Sequence, residues 1–90
     1  MSTHIKLPEK AIPLLRYLDE HGPLTQKELI NTLSLPVRTV RYSIRRLLEK
    51  GLIKKVPNLK DMRSIFYHIS PEVADVEAVI SEELAIQARA

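Results

Sequence analysis

Between Leu24 and Gly51 the sequence marks where helices start and stop, and the marks leave space for two helices separated by three residues. Thr25 and Glu28 have the spacing of a capping box, in which a hydroxyl and a carboxylate each accept the free backbone N–H of the other residue. Leu24 and Leu29 take the flanking apolar positions. A helix is therefore expected from Gln26 to about Leu33, with Leu29, Ile30 and Leu33 as its apolar stripe. Ser34-Leu35-Pro36 breaks it, because proline pushes the residue before it out of helical geometry. The next helix is expected from Pro36 or Val37 to Lys50. Gly51 stops it, as the residue that tolerates the left-handed conformation closing many helices.

The second of these helices is two-sided. At ~100° per residue, Val40, Ile44, Leu47 and Leu48 gather on one face. Arg38, Thr39, Tyr42, Arg45, Arg46 and Glu49 lie opposite, with Arg41 on a flank, so the outward face is cationic with a tyrosine near its middle. Residues 36 to 63 as a whole carry nine bases (Arg38, Arg41, Arg45, Arg46, Lys50, Lys54, Lys55, Lys60 and Arg63) against Glu49 and Asp61, a charge of +7. Residues 1 to 35 are balanced, and residues 71 to 90 carry −4. A charge run is ordinarily a solvated face. Here the bases fall on particular faces of expected elements, as binding to a polyanion requires.

Around this pair the remaining elements read more loosely. A helix is expected over Glu9 to His21, with Ile12, Leu14, Leu15 and Leu18 apolar and Gly22-Pro23 as its stop. Pro13 is comfortable only in a first turn, so this helix either begins near Ala11 or is kinked. After Gly51 the period changes to that of strands, Leu52 to Val56 and Ser64 to Ile69, which form a hairpin. Its connection, residues 57 to 63, is too long for a two-residue turn and is expected to project as a flexible loop carrying Lys60 and Arg63. Ser70-Pro71-Glu72 has the form of a helix start, and a last helix is expected from Pro71 toward Ala88. On it Val73, Val76, Ile80, Leu84 and Gln87 step by three and four, while Val79 and Ile86 lie off that seam. The surplus apolar surface either folds back over the chain or pairs two subunits. Pairing is the favoured reading, with Val73, Val76, Val79, Ile80, Leu84 and Ile86 at the contact.

Composition removes several other functions. Without cysteine there are no disulfides, thiolate metal sites or thiol nucleophiles. His4, His21 and His68 are scattered across a tail, a helix end and a strand, lack metal-site spacing, and are read as structural. No catalytic set, Gly-rich phosphate loop or carboxylate pair stands on a recognisable scaffold, so no enzyme activity and no cofactor are expected. The longest stretch without charge runs from Leu29 to Val37, far short of the ~20 apolar residues of a membrane span. The charged start MSTHIKLPEK is unlike a signal peptide, and the expected location is the cytoplasm, in association with the nucleoid. Residues 1 to 8 read as a tail, 9 to 70 as one domain and 71 to 90 as a C-terminal helix.

Helix, short helix, turn, arginine-bearing helix and hairpin with a basic loop: residues 9 to 70 resemble the winged helix-turn-helix domains. GPLTQKELINTLSLPVRTVRYSIRRLLEKGLIKKV looks like the MarR-like bacterial and archaeal transcription regulators, and KDMRSIFYHIS looks like their wing. The resemblance implies a mainly α fold with a three-helix core, a two-stranded wing and a C-terminal helix. It implies double-stranded DNA as partner, with Val37, Arg38, Thr39, Arg41, Tyr42 and Arg45 of the third helix in the major groove and Arg46 beside them as a further DNA-binding residue. Asp61-Met62-Arg63 matches the family's Asp-x-Arg wing, so Arg63 is the implied minor-groove contact and Asp61 the residue orienting it. Arginine's planar fork suits guanine as well as phosphate, whereas Lys54, Lys55 and Lys60 suit phosphates. Full-length MarR proteins have longer flanking helices at both ends, which pair subunits and frame a small-molecule pocket. Residues 71 to 90 are all that corresponds here, and whether a small-molecule effector is sensed, and which, is left open. Two other readings stand beside this one: a winged helix that docks an acidic protein partner in transcription or replication machinery, and a nonspecific chromosomal DNA-binding protein.

Overall fold

In the computed structural model, residues 7–61 and 63–88 are described; His4, Met62 and Arg89 lie outside them. Helix α1 runs Ala11–His21, so Pro13 falls in its first turn, where its missing N–H costs nothing. The segment before it is more than a tail: Leu7 is 1% exposed and the Pro8 carbonyl accepts the Ala11 N–H at 2.9 Å. Helix α2, Gln26–Leu33, starts at the expected capping box, with the Thr25 N–H donating to Glu28 Oε1 at 2.9 Å and the Glu28 N–H donating to Thr25 Oγ1 at 3.2 Å. It ends at Ser34, which takes φ 53°, ψ 39°, a left-handed turn made without glycine.

Helix α3, Val37–Glu49, follows at once with Pro36 as its cap residue. Its end is a Schellman motif: the Leu52 N–H donates to the Leu47 carbonyl and the Gly51 N–H to the Leu48 carbonyl, both at 3.0 Å, with Gly51 at φ +71°. Val40, Ile44 and Leu47 are buried as expected, and Ser43 is buried with them.

The sheet has three strands, one more than the hairpin expected from the sequence. Strands β1 (Leu24–Thr25), β2 (Ile53–Pro57) and β3 (Ile65–Ile69) are antiparallel in the order β1-β3-β2, with Leu24 opposite Tyr67 and Lys55 opposite the same tyrosine from the other side. Two residues of β1 thus tie the start of α2 to the wing.

Helix α4 is Val76–Ala88 and does not begin at Pro71. The Ser70 N–H donates to the Leu52 carbonyl at 2.9 Å, its carbonyl accepts from Val73 in a turn, and its hydroxyl donates to the Glu72 carboxylate instead of capping a helix. That hydroxyl holds the Glu72 carboxyl below the ordinary glutamate range, helped by a backbone N–H and by the Lys54 charge. Asp75 is the residue that caps α4, its Oδ1 accepting the Ala78 N–H at 3.2 Å.

The core draws on all four helices and on β2: Leu7, Ala11, Ile12, Leu14, Leu15 and Leu18, then Leu29, then Val40, Ile44 and Leu47, then Ile53, Val76 and Ile80. Helix α4 therefore folds back against α1, with Val76, Ile80 and Glu83 buried. Polar contacts fasten it: Lys50 to Glu83, Arg16 to Glu77 at 3.7 Å, and Gln87 Nε2 donating to the Leu7 carbonyl at 3.1 Å.

Candidate nucleic-acid interface

Helix α3 buries one side and leaves the other to solvent, so its outward side chains follow from the helical period. Arg38, Arg41 and Arg45 are exposed, Val37 and Tyr42 are half exposed, and Thr39 is partly covered. The three arginines span two turns, about 10 Å at 1.5 Å per residue. Among the described residues neither Arg38 nor Arg41 pairs with an acid. Arg46 is different. Its side chain is 25% exposed, donates to Glu49 at 2.9 Å and lies over the Tyr42 ring at 5.7 Å, so it is folded against its own helix.

The wing loop is built by side chains that bond to backbone. Asn58 Oδ1 accepts the N–H groups of Lys60 and Asp61, and Asp61 Oδ1 accepts the Arg63 N–H at 3.0 Å. Asp61 also accepts from the Ser64 hydroxyl, and its carbonyl accepts the Ser64 N–H. Asp61 thus sets the direction of Arg63 through the backbone and not through an ion pair with its guanidinium. Lys60 and Arg63 are exposed on this loop.

Lys54 and Lys55 are both exposed but lie on opposite faces of β2. Successive strand residues point to opposite faces. Lys55 shares its face with Pro57 and Ile65 and borders a groove with Asn58 and Ser64, whereas Lys54 sits opposite His68 on the other face, near enough to Glu72 to influence it. The inner groove continues past Ser64 and Ile65 to Arg63 and the start of α2, where Gln26 and Lys27 line it. Sequence reasoning left these two residues out of the site. The two-residue β1 brings them there, and the signal for it was only Leu24-Thr25 ahead of the capping box.

Of the residues expected at a subunit contact, Val76 and Ile80 are 7% and 1% exposed inside their own domain, which removes them from any such surface. Val73 and Val79 pack partly on the core, Ile86 is half-buried, and Leu84 is 48% exposed. The inward positions run Val76, Ile80, Glu83, Gln87, which keeps the expected seam at Val76, Ile80 and Gln87 and puts Glu83 in the place expected for Leu84.

The arrangement is that of a winged helix: three helices packed as a core, the third exposing its basic side, and a hairpin wing beside it. Residues 12–54 match the family model described as winged helix-turn-helix DNA-binding, and the fold is MarR-like. It is 32% identical over 90 residues to an HTH-type transcriptional regulator of Pyrococcus horikoshii, covering 93% of this chain and 56% of that protein. The chain thus spans little more than half the length of that relative. Among solved structures, YusO of Bacillus subtilis superposes with a TM-score of 0.72 at 28% identity, over 92% of this chain and 60% of that one. A mutant MarR from E. coli complexed with operator DNA gives a TM-score of 0.72 at 19% identity, over 87% of this chain and 56% of that one.

Proposed function

We propose that this chain is the DNA-binding part of a sequence-specific transcriptional regulator, with α3 reading the major groove and the wing tip, through Arg63, at the minor groove. The observation that carries this reading is the outward face of α3, where Arg38 and Arg41 stand exposed and unpaired among the described residues beside Tyr42 and Arg45. An arginine held at a helix surface without an acid partner is available to guanine, each good bidentate contact being worth about 1–3 kcal/mol of discrimination. Val37 and Thr39 complete the reading edge. Lys55, Lys60 and Lys27 supply phosphate contacts and the sequence-blind share of affinity. Such a regulator works in the cytoplasm at the nucleoid.

The regulator acts as a homodimer, with Leu84, Ile86 and Val79 as this chain's contribution to the contact, since Val76 and Ile80 are used internally. Two copies then address inverted half-sites about 10 base pairs apart.

Selection of bound sequences from random duplex DNA, run at two salt concentrations, tests both parts. A motif of inverted halves is expected, and retention of all sequences alike would overturn sequence-specific reading. Sedimentation of only the 10.3 kDa species at micromolar concentration would overturn the dimer.

A further inference from the structure

Glu49, in the last turn of α3, holds two arginines on one carboxylate. Arg46 Nη1 donates to its Oε1 at 2.9 Å, and Arg45 Nε stands 3.6 Å from its Oε2. The arginines differ in what else surrounds them. The Arg45 side chain is 76% exposed. The Arg46 side chain is 25% exposed, its Nε is covered by protein, and its guanidinium lies over the Tyr42 ring. The Arg46 contact is thus short and charge-assisted, made by an arginine whose stem is packed against the protein, while the Arg45 contact is longer and made by an arginine standing in water; the Glu49 side chain they share is 40% exposed. On these contacts a competing phosphate would take Arg45 from Glu49 more easily than Arg46.

We infer that Glu49 is a specificity-determining positioning residue: it withdraws Arg46 from phosphate contact and turns it into the support of Tyr42, leaving Arg38, Arg41, Tyr42 and Arg45 as the readers. The inference rests on α3 facing DNA. Tyr42, Arg46 and Glu49 follow one another along one side of the helix at spacings of four and three, which lets carboxylate, guanidinium and ring stack in sequence. A phosphate contact strengthens every sequence alike, so an arginine released to phosphate raises affinity while lowering discrimination. Holding Arg46 back therefore gives up affinity and gains selectivity.

The test uses the whole chain with two duplexes, the selected sequence and a scrambled one, across a salt series. The variants are Glu49→Gln and Arg46→Met, which keeps the buried stem, with Glu20→Gln on α1 as the background for losing one negative charge. Melting curves place all measurements below unfolding. Glu49→Gln is expected to steepen the dependence of log affinity on log salt by about 0.9, one added phosphate contact. It is also expected to strengthen binding to the scrambled duplex more than Glu20→Gln does, and more than it strengthens binding to the selected one. Arg46→Met is expected to leave the salt dependence unchanged while lowering discrimination. Two results overturn the inference: Glu49→Gln behaving as Glu20→Gln does, or Arg46→Met flattening the salt dependence by about 0.9, which makes Arg46 itself a phosphate contact. If the unaltered chain binds neither duplex, the DNA-binding reading fails before any variant is compared.

Discussion

Replacing Lys50 by methionine probes how α4 is held to the end of α3. Lys50 and Glu83 form a hydrogen-bonded ion pair between the two helices, and the partners are unequally covered. The Glu83 side chain is 5% exposed and its Oε2 has no partner, whereas the Lys50 side chain is 22% exposed. A lysine left alone turns its ammonium toward water along its flexible stem, but a carboxylate left alone stays where water does not reach. Breaking a buried pair from one side costs about 3–5 kcal/mol. Lys50→Met, which strands the more buried partner, is expected near the lower bound, about 3 kcal/mol. Glu83→Gln keeps a hydrogen-bonding group against Lys50 and is expected to cost about 1 kcal/mol. The double variant Lys50→Met/Glu83→Leu recovers most of the loss, because a packed apolar pair carries no desolvation cost. For a domain of this size each kcal/mol moves the midpoint by about 4–8 °C, so the single variants separate clearly in thermal unfolding followed by circular dichroism. Equal losses from the two single variants, or a coupling below about 0.5 kcal/mol that vanishes in concentrated salt, would put the pair in solvent and refute the reasoning.

Three further outcomes concern the caps and turns that hold the helices. Gly51→Ala costs about 1 kcal/mol in urea unfolding, purely from the left-handed backbone at φ +71°, since an added Cβ meets nothing within 4 Å; a neutral result would contradict the strain. Thr25→Ala removes the hydroxyl side of the capping box and costs about 1 kcal/mol by the same measurement, with Thr25→Ser restoring most of it. The Glu72 carboxyl titrates below the ordinary glutamate range because the Ser70 hydroxyl donates to it, and Ser70→Ala moves its NMR midpoint back up. With the folded value depressed, this contact stabilises the fold above the unfolded-state pKa and is lost as pH falls through the folded value, so the two proteins converge in acid; an unmoved midpoint would contradict the assignment.

What the sequence made legible was what short-range chemistry decides. The capping box at Thr25, the break at Pro36 and the stop at Gly51 involve residues within a few positions of each other, and the helices begin and end there. The misread elements were decided by distant partners. Ser70-Pro71-Glu72 has the local form of a helix start, but the Ser70 N–H is taken by the Leu52 carbonyl across the sheet, and the chain turns before Asp75 starts the helix. Helix α4 exposes Leu84 and buries Glu83 because Lys50, thirty-three residues away, supplies the charge that makes a buried carboxylate tolerable. Leu7 enters the core, and Gln87 of α4, eighty residues on, donates to its carbonyl. In the site, the outward arginines of α3 were legible from period alone. Strand alternation was enough to separate Lys54 from Lys55, and the spacing of Tyr42, Arg46 and Glu49 was present in the sequence, but only the geometry shows Arg46 folded away from the reading face.

The central claim, that α3 reads base sequence while the wing and lysines hold the backbone, is tested most directly by titrating Arg38→Ala and Lys55→Ala against selected and scrambled duplexes at matched salt. The account predicts that Arg38→Ala loses about 1–3 kcal/mol on the selected duplex and much less on the scrambled one, while Lys55→Ala weakens both equally and flattens the salt dependence. Equal losses from the two variants on both duplexes would contradict it, because α3 would then contribute charge and no reading.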